Sequence, residues 1–138
     1  MTLHVELVVP DREIWSGSAR MVVAKTPDGD LGVLAHHPPV LGLLTEGSVV
    51  RILDPEAGDS DPAGPATEGE ITAAVSGGFL SVANDRVSIL ARHAELGREI
   101  DKSSARADLE AAAGQAGGDE SAEAKYARAR LRAAGEQA

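Results

Sequence analysis

The aliphatic side chains of this chain are confined almost entirely to its first hundred residues. Of its 30 valine, isoleucine and leucine residues, 28 lie in positions 1–100, whereas 13 of its 24 alanines lie in 101–138. β-Branched residues favour strands, and alanine favours helices. The partition therefore predicts a mainly β body over 1–100 and a helical segment over 101–138.

Short apolar runs with turn residues between them recur along the body. In the first run, Leu3, Val5 and Leu7 alternate with other residues, so one face of that strand is expected to point inward. Asn84-Asp85 separates the last two runs and predicts a tight hairpin, because both residue types tolerate left-handed backbone angles. So many short strands at this spacing predict a β-sandwich or a flattened barrel.

Residues 54–70 differ from the rest of the body. They contain six acids, three prolines and three glycines, and they lack both basic and large apolar side chains. Because nothing in this segment can offset the entropy lost on ordering it, we expect an acidic mobile loop between two strands. A calcium-binding loop is the alternative interpretation, although the glycine and glutamate that an EF-hand loop needs at later positions are missing.

The segment 101–138 predicts two helices separated by Gly117-Gly118. Asp101 and Ser103 are candidate N-caps of the first helix, and the second places its acids before its bases, as the helix dipole favours. Three large apolar side chains are available to anchor this hairpin: Leu109, Tyr126 and Leu131. The hairpin is therefore either a detachable element of low stability or a permanently packed one, and the sequence leaves both interpretations open.

The acidic balance and the absence of cysteine exclude several classes of protein. With 22 acids against 13 bases, the formal net charge is -9, which disfavours binding to nucleic acid and docking on anionic lipid. No apolar run approaches the roughly 18 residues that span a bilayer, so we expect no direct lipid insertion. Without cysteine the chain forms neither disulfides nor zinc–thiolate sites.

The residues that could carry chemistry do not form a recognisable catalytic pattern. His36 and His37 are adjacent, which directs them to opposite faces of an extended chain, and no HxH or HExxH spacing accompanies them. We therefore expect no catalytic residues and no metal site. A β-sandwich module that binds carbohydrate or protein and a cupin-like metalloenzyme are the alternatives. Sugar-binding faces generally use several aromatic side chains, and the chain has one Trp, one Tyr and one Phe.

Six motifs occur in a fixed order along the chain: Glu13-Ile-Trp-Ser-Gly17, Thr26-Pro-Asp-Gly-Asp-Leu-Gly-Val-Leu34, His37-Pro-Pro-Val-Leu41, Val75-Ser-Gly-Gly-Phe79, Asp85-Arg-Val-Ser-Ile-Leu-Ala91 and Ala94-Glu-Leu-Gly97. In order and spacing they resemble the epsilon subunit of the bacterial F-type ATP synthase, over nearly the whole chain. The resemblance implies a β-sandwich of about ten short strands, followed by an antiparallel two-helix hairpin.

The resemblance also implies a function and partners. The family member is a non-catalytic subunit of the central stalk, or rotor, and couples proton translocation to ATP synthesis. Its body contacts the gamma subunit and the membrane-embedded c-ring at the cytoplasmic face of the cell membrane, as a peripheral part of the complex. Its helical hairpin is a regulatory tail that inhibits ATP hydrolysis when it extends along gamma to reach the catalytic alpha/beta hexamer.

Two groups of residues correspond to sites in that family. The turn Asp28, Gly29, Asp30 and Leu31, together with His37, matches the segments expected to contact the c-ring. Glu95, Ile100 and Asp101 match a regulatory ATP site in which Ser104 replaces the family arginine. Because a guanidinium is the best phosphate partner of such a site, its replacement weakens the expected ATP binding, and no cofactor is expected to be required.

Overall fold

A computed structural model describes residues 2–54, 56–57, 69–115, 117–118 and 121–135. Across these residues the chain forms eleven strands, one 3-10 turn at Gly97–Glu99 and two α-helices. The strands are β1 (Leu3–Val9), β2 (Arg12–Ala19), β3 (Met21–Thr26), β4 (Gly29–Leu34), β5 (Val40–Leu43), β6 (Ser48–Leu53), β7 (Glu56–Ala57), β8 (Glu70–Ser76), β9 (Phe79–Ala83), β10 (Arg86–Leu90) and β11 (His93–Leu96). The helices are α1 (Lys102–Ala113) and α2 (Ala122–Ala133).

The described strands form two sheets packed face to face. The first sheet has the order β5-β9-β10-β1-β2-β7, and the second has the order β11-β8-β6-β3-β4. Neighbouring strands are antiparallel except for β1 and β10, which run parallel. The predicted β-sandwich with a C-terminal pair of helices is confirmed.

One core fills the space between the two sheets. The alternation expected in the first strand is present, since Leu3, Val5 and Leu7 are fully buried. Trp15 on β2 is fully buried beside them. All the buried members of this core lie between residues 3 and 96, so neither helix contributes a residue to it.

The predicted hairpin turn at Asn84-Asp85 joins β9 and β10. Both residues have positive φ angles, 52° and 59°, which explains why Asn and Asp occupy this turn. The antiparallel register that follows pairs Ala83 with Arg86 and Val82 with Val87. This prediction is confirmed.

Part of the acidic segment 54–70 belongs to the sheets. Glu56 and Ala57 form β7 on the edge of the six-stranded sheet, and Glu70 begins β8. The Glu70 carboxylate pairs with Arg51 on the neighbouring strand β6. Residues 55 and 58–68, where the mobile loop is expected, lie outside the described residues.

The two helices form a hairpin on one side of the sandwich. α2 packs on β6 and β8 of the five-stranded sheet, and α1 packs mainly on α2. The predicted N-cap at Asp101 is confirmed: its Oδ1 accepts a hydrogen bond from the backbone N–H of Ser104 at 3.2 Å. Among the described residues, no helix is long and apolar enough to cross a membrane.

Candidate functional site

The helical hairpin docks on the sandwich through the outer face of the five-stranded sheet. Ala129 and Ala133 of α2 pack against Ala74 of β8. Three partly buried side chains surround this contact: Val49, Ile100 and Tyr126. Because alanine buries little area, the docked position rests on close fit rather than on a large apolar interface.

Glycines allow α2 to approach the body closely. A Cβ atom at Gly97 would lie 2.1 Å from the carbonyl oxygen of Ala133, and one at Gly47 would lie 2.4 Å from the backbone carbon of Lys125. Thr72 Oγ1 donates a hydrogen bond to the same Ala133 carbonyl at 2.6 Å. Any side chain at Gly97 would therefore collide with a helix that the body also holds by hydrogen bonding.

Two faces of α2 are buried, and Arg130 lies between them. Ala124 and Leu131 lie on the face toward α1, whereas Ala129 and Ala133 lie on the face toward the sheet. At 100° per residue, position 130 falls between these faces. Arg130 is accordingly a buried charged residue, 8% exposed.

A cleft of about 630 Å³ lies between the hairpin and β11. Arg130 lines it, and its Nη1 donates a hydrogen bond to Asp108 Oδ2 of α1 at 2.8 Å. Its Nε lies 2.8 Å from Glu95 Oε1, an ion pair in which the N–H is not aligned with the oxygen. Arg92 pairs separately with Glu46 at 2.9 Å. With Glu123 also in its lining, the cleft has four carboxylates against two guanidinium groups and is therefore acidic overall.

Tyr126 reinforces the contact between α2 and β11. Its hydroxyl donates a hydrogen bond to Glu95 Oε1 at 3.3 Å, and its ring lies 6.0 Å from that of His93. Burial raises the pKa of the Tyr126 phenol, and the negative charge and hydrogen bonding of Glu95 raise it further. The phenol is therefore neutral at physiological pH and remains a donor to Glu95.

The structure brings one residue of the expected ATP site into the cleft. Glu95 lines the cleft, but neither Ile100 nor Asp101 is among the described residues around it. Ile100 packs beside α2, and the Asp101 carboxylate caps α1. Ser104, which stands where the family has arginine, is exposed. Of the residues expected at the ATP site, Ile100 and Asp101 therefore have structural roles in the helical hairpin.

The expected c-ring residues lie along one exposed edge of the body. Asp28 lies in the turn before β4, and Gly29, Asp30 and Leu31 lie on β4, the edge strand of the five-stranded sheet. His37 lies beyond the other end of β4, where its Nδ1 is 2.7 Å from the Pro38 carbonyl oxygen. At about 3.3 Å per residue, the strand separates the turn from the His37 end by roughly 17 Å.

Exposed apolar side chains cluster on the outer face of the six-stranded sheet. Leu41 and Leu43 of β5 are 71% and 68% exposed, and Phe79 and Leu90 are 40% and 39% exposed. Leu43 pairs with Phe79 across β5 and β9, and Phe79 pairs with Leu90 across β9 and β10. Paired residues share a face of the sheet, so the four side chains form one surface, here named the apolar corner. Contiguous apolar surfaces of this kind mark sites of protein–protein contact.

The carbohydrate-binding and metalloenzyme alternatives gain no support from the described residues. Trp15 is buried in the core, and Tyr126 is half-buried under the hairpin, so neither is placed for a sugar to stack on it. His36 donates its backbone N–H to Asp85, whereas His37 contacts Pro38. Within the part of the chain that the structure describes, no three His, Cys, Asp or Glu residues are grouped to hold a metal ion.

A comparison with protein families matches residues 2–97 to the model for the ATP synthase delta/epsilon chain, beta-sandwich domain. The ATP synthase epsilon chain of Thermobifida fusca is 52% identical over 135 residues, covering 96% of this chain and 91% of that protein. The epsilon chain of Streptomyces avermitilis is 46% identical over 132 residues, covering 95% and 94%. The chain belongs to the ATP synthase epsilon family.

Solved structures carry the same fold as this epsilon-family chain. A chain in the cryo-EM structure of the Euglena gracilis mitochondrial ATP synthase (OSCP/F1/c-ring) aligns with a TM-score of 0.62 and 21% identity, covering 94% of this chain and 75% of that one. A chain in the central stalk/c-ring structure of the Tetrahymena thermophila mitochondrial ATP synthase gives a TM-score of 0.53 and 20% identity, covering 78% and 72%. At these identities the likeness concerns the fold.

Sequence reasoning missed two residues that position the hairpin in this epsilon-family chain. In the sequence, Arg130 is one of several basic residues near the C-terminus of the second helix, where the helix dipole favours them. Its burial is predicted only if alanines are recognised on two faces of that helix. Gly97 gives no local signal, since it follows β11 with no positive φ to demand glycine. The reason for glycine there is a carbonyl oxygen 36 residues later in the chain, in Ala133.

Proposed function

We propose that this chain is a non-catalytic subunit of the ATP synthase central stalk, through which proton translocation is coupled to ATP synthesis. It works as a peripheral part of the complex at the cytoplasmic face of the cell membrane. Its partners are the gamma subunit and the c-ring, with the catalytic alpha/beta hexamer as a further partner when the hairpin is extended. Family membership supports this proposal.

The apolar corner is the observation that carries the docking part of this proposal. Leu41 and Leu43 are more than two-thirds exposed on a body whose core is otherwise complete, so they are available to a partner. We assign the apolar corner to the gamma subunit. The exposed edge from Asp28 to His37 is assigned to the c-ring, with both ends of β4 contributing.

The hairpin is proposed to be the regulatory element. It docks through alanines and glycines and buries few large side chains, so little free energy separates its docked and released forms. The body keeps its own core when the hairpin leaves, because that core lies within residues 3–96. A released hairpin is therefore free to reach the catalytic subunits while the body stays on the rotor.

Deletion of residues 101–138 tests this function in the assembled complex. We expect severalfold faster ATP hydrolysis than with the full chain, because the inhibitory element is gone while the body still docks. Hydrolysis would be measured on purified complex reconstituted with either form, and proton-driven ATP synthesis serves as the control that coupling is intact. Equal hydrolysis across nucleotide concentrations and driving forces would show that the hairpin is not inhibitory, and failure of the full chain to assemble with gamma and the c-ring would overturn the docking role.

We further propose that the chain needs no cofactor and that its docked hairpin is stable without ATP. A nucleotide in the cleft would have to displace Glu95 from Arg130, and Asp101 is already committed as the cap of α1. Calorimetric titration of the purified chain with ATP is expected to show no binding at micromolar concentrations. A saturable heat in that range, lost in the Glu95→Gln variant, would contradict this proposal.

A further inference from the structure

Arg130 joins three separate elements by charge. It belongs to α2, its partner Asp108 belongs to α1, and its partner Glu95 belongs to β11 of the body. Both nitrogen–oxygen distances are 2.8 Å, and the guanidinium side chain is only 10% exposed. A single buried charge thus lies where α1, α2 and the sandwich meet.

The two carboxylates act on different interfaces. Asp108 connects α1 to α2, so its ion pair closes the hairpin. Glu95 connects the body to α2, so its ion pair docks the hairpin, and Tyr126 of α2 donates a second contact to the same carboxylate oxygen. Arg130 links Glu95 to Asp108, because its guanidinium pairs with both carboxylates.

The buried charge of this arrangement is the Arg130 guanidinium, since the Glu95 and Asp108 side chains are 34% and 63% exposed. Removing a partner from a buried guanidinium leaves a desolvated charge that is less well compensated, and this cost is larger for the less exposed partner, Glu95, than for Asp108. The neighbouring carboxylate Glu46 is already paired with Arg92 at 2.9 Å. Arg130 therefore depends on Asp108 and Glu95 together.

We propose that Arg130 is a shared latch that makes closure of the helical hairpin and its docking on the sandwich one cooperative event. When either ion pair breaks, the remaining pair no longer compensates the buried guanidinium, so α1, α2 and the body separate together. The latch concerns the position of the hairpin in the chain itself and does not depend on whether the hairpin inhibits hydrolysis.

Amide hydrogen exchange on the full chain tests the latch through two near-isosteric changes. Glu95→Gln and Asp108→Asn each remove one charge while keeping size, and the Gln side chain still accepts from Tyr126. Both are expected to raise the exchange rates of amides in α1 and α2 together, at least tenfold for Glu95→Gln and at least threefold for Asp108→Asn at the more exposed carboxylate, with amides of β1 and β10 unchanged because the body remains folded. An effect of Asp108→Asn confined to α1, with that of Glu95→Gln confined to α2, would overturn the shared latch.

An Arg130→Met background supplies the decisive control. Once the guanidinium is gone, neither carboxylate has a buried charge to neutralise, so Glu95→Gln and Asp108→Asn are each expected to change exchange less than twofold in that background. Arg132→Met, at an exposed arginine two positions along the same helix, should leave the effects of both carboxylate variants in place. Effects of equal size with and without Arg130 would show that the two carboxylates act independently of it.

Discussion

The Gly97→Ala variant is expected to lose the docked position of α2. The added methyl group would lie 2.1 Å from the Ala133 carbonyl oxygen and 2.3 Å from Thr72 Oγ1, distances that no side-chain carbon tolerates. The helix end would have to move away, which also breaks the hydrogen bond from Thr72 to that carbonyl. Overpacking of this kind costs about 2 kcal/mol, or roughly a thirtyfold shift of the docking equilibrium toward release.

Energy transfer between dyes would measure that shift. The chain has no native cysteine, so dyes can be placed on cysteines introduced at the exposed positions Lys25 in β3 and Glu123 in α2. Gly114→Ala is the matched control, since a Cβ atom there makes only ordinary contacts of 3.8 and 3.9 Å at the end of α1. Equal transfer efficiency in the Gly97→Ala and unsubstituted chains would show that close approach at Gly97 does not hold α2 in place.

The double variant Leu41→Asp/Leu43→Asp is expected to lose docking on the central stalk. Each leucine that a partner covers contributes about 1.5–3 kcal/mol, and a carboxylate in its place would add a desolvation cost. The affinity for a gamma–c-ring subcomplex should therefore fall at least about a hundredfold. Both positions are largely exposed in the free chain, so its circular dichroism and unfolding temperature should change little.

A variant of equal charge separates this effect from simple electrostatics. Ser103→Asp/Ala107→Asp also adds two carboxylates, at exposed positions in the first turns of α1 and far from the apolar corner in sequence and element. It should retain affinity for the subcomplex within about twofold, since exposed charges contribute little. Unchanged affinity of the leucine variant would mean that gamma contacts another face of the body, while equal losses in both variants would point to charge alone.

Local patterns predicted most of the fold and little of the hairpin's attachment. Alternation in Leu3–Val9, the Asn84-Asp85 turn and the Asp101 cap are all encoded within a few residues, and each occurs as expected. The attachment of α2 is encoded across distance: Ala133 contacts Gly97 and Thr72, and Arg130 contacts Asp108 and Glu95. Helical or strand periodicity does not predict such long-range contacts, because each partner fits the local pattern of its own segment.

The candidate sites show the same division. The sequence pattern identified Glu95 as part of an ATP site, which stays a prediction, but it did not show that Glu95 contacts Arg130 and Tyr126 of the chain's own second helix. The sequence did not predict the apolar corner, because the residue type alone does not tell an exposed leucine such as Leu43 from a buried one such as Leu7. Only the strand register, which pairs Leu43 with Phe79 and Phe79 with Leu90, shows that these side chains share one exposed face.

The parallel pairing of β1 with β10 fixes the order in which a newly made chain can assemble. Ser88 Oγ of β10 donates a hydrogen bond to Glu6 Oε1 of β1, 82 positions earlier in the chain. Strand β1 therefore cannot complete its pairing until β10 has been synthesised. The helices are made later still, and α2 docks on β6 and β8, which belong to a body that can already be complete. Because the hairpin docks on a sandwich that is already folded, its release would leave that sandwich intact. Release would then be the reverse of the last step of folding.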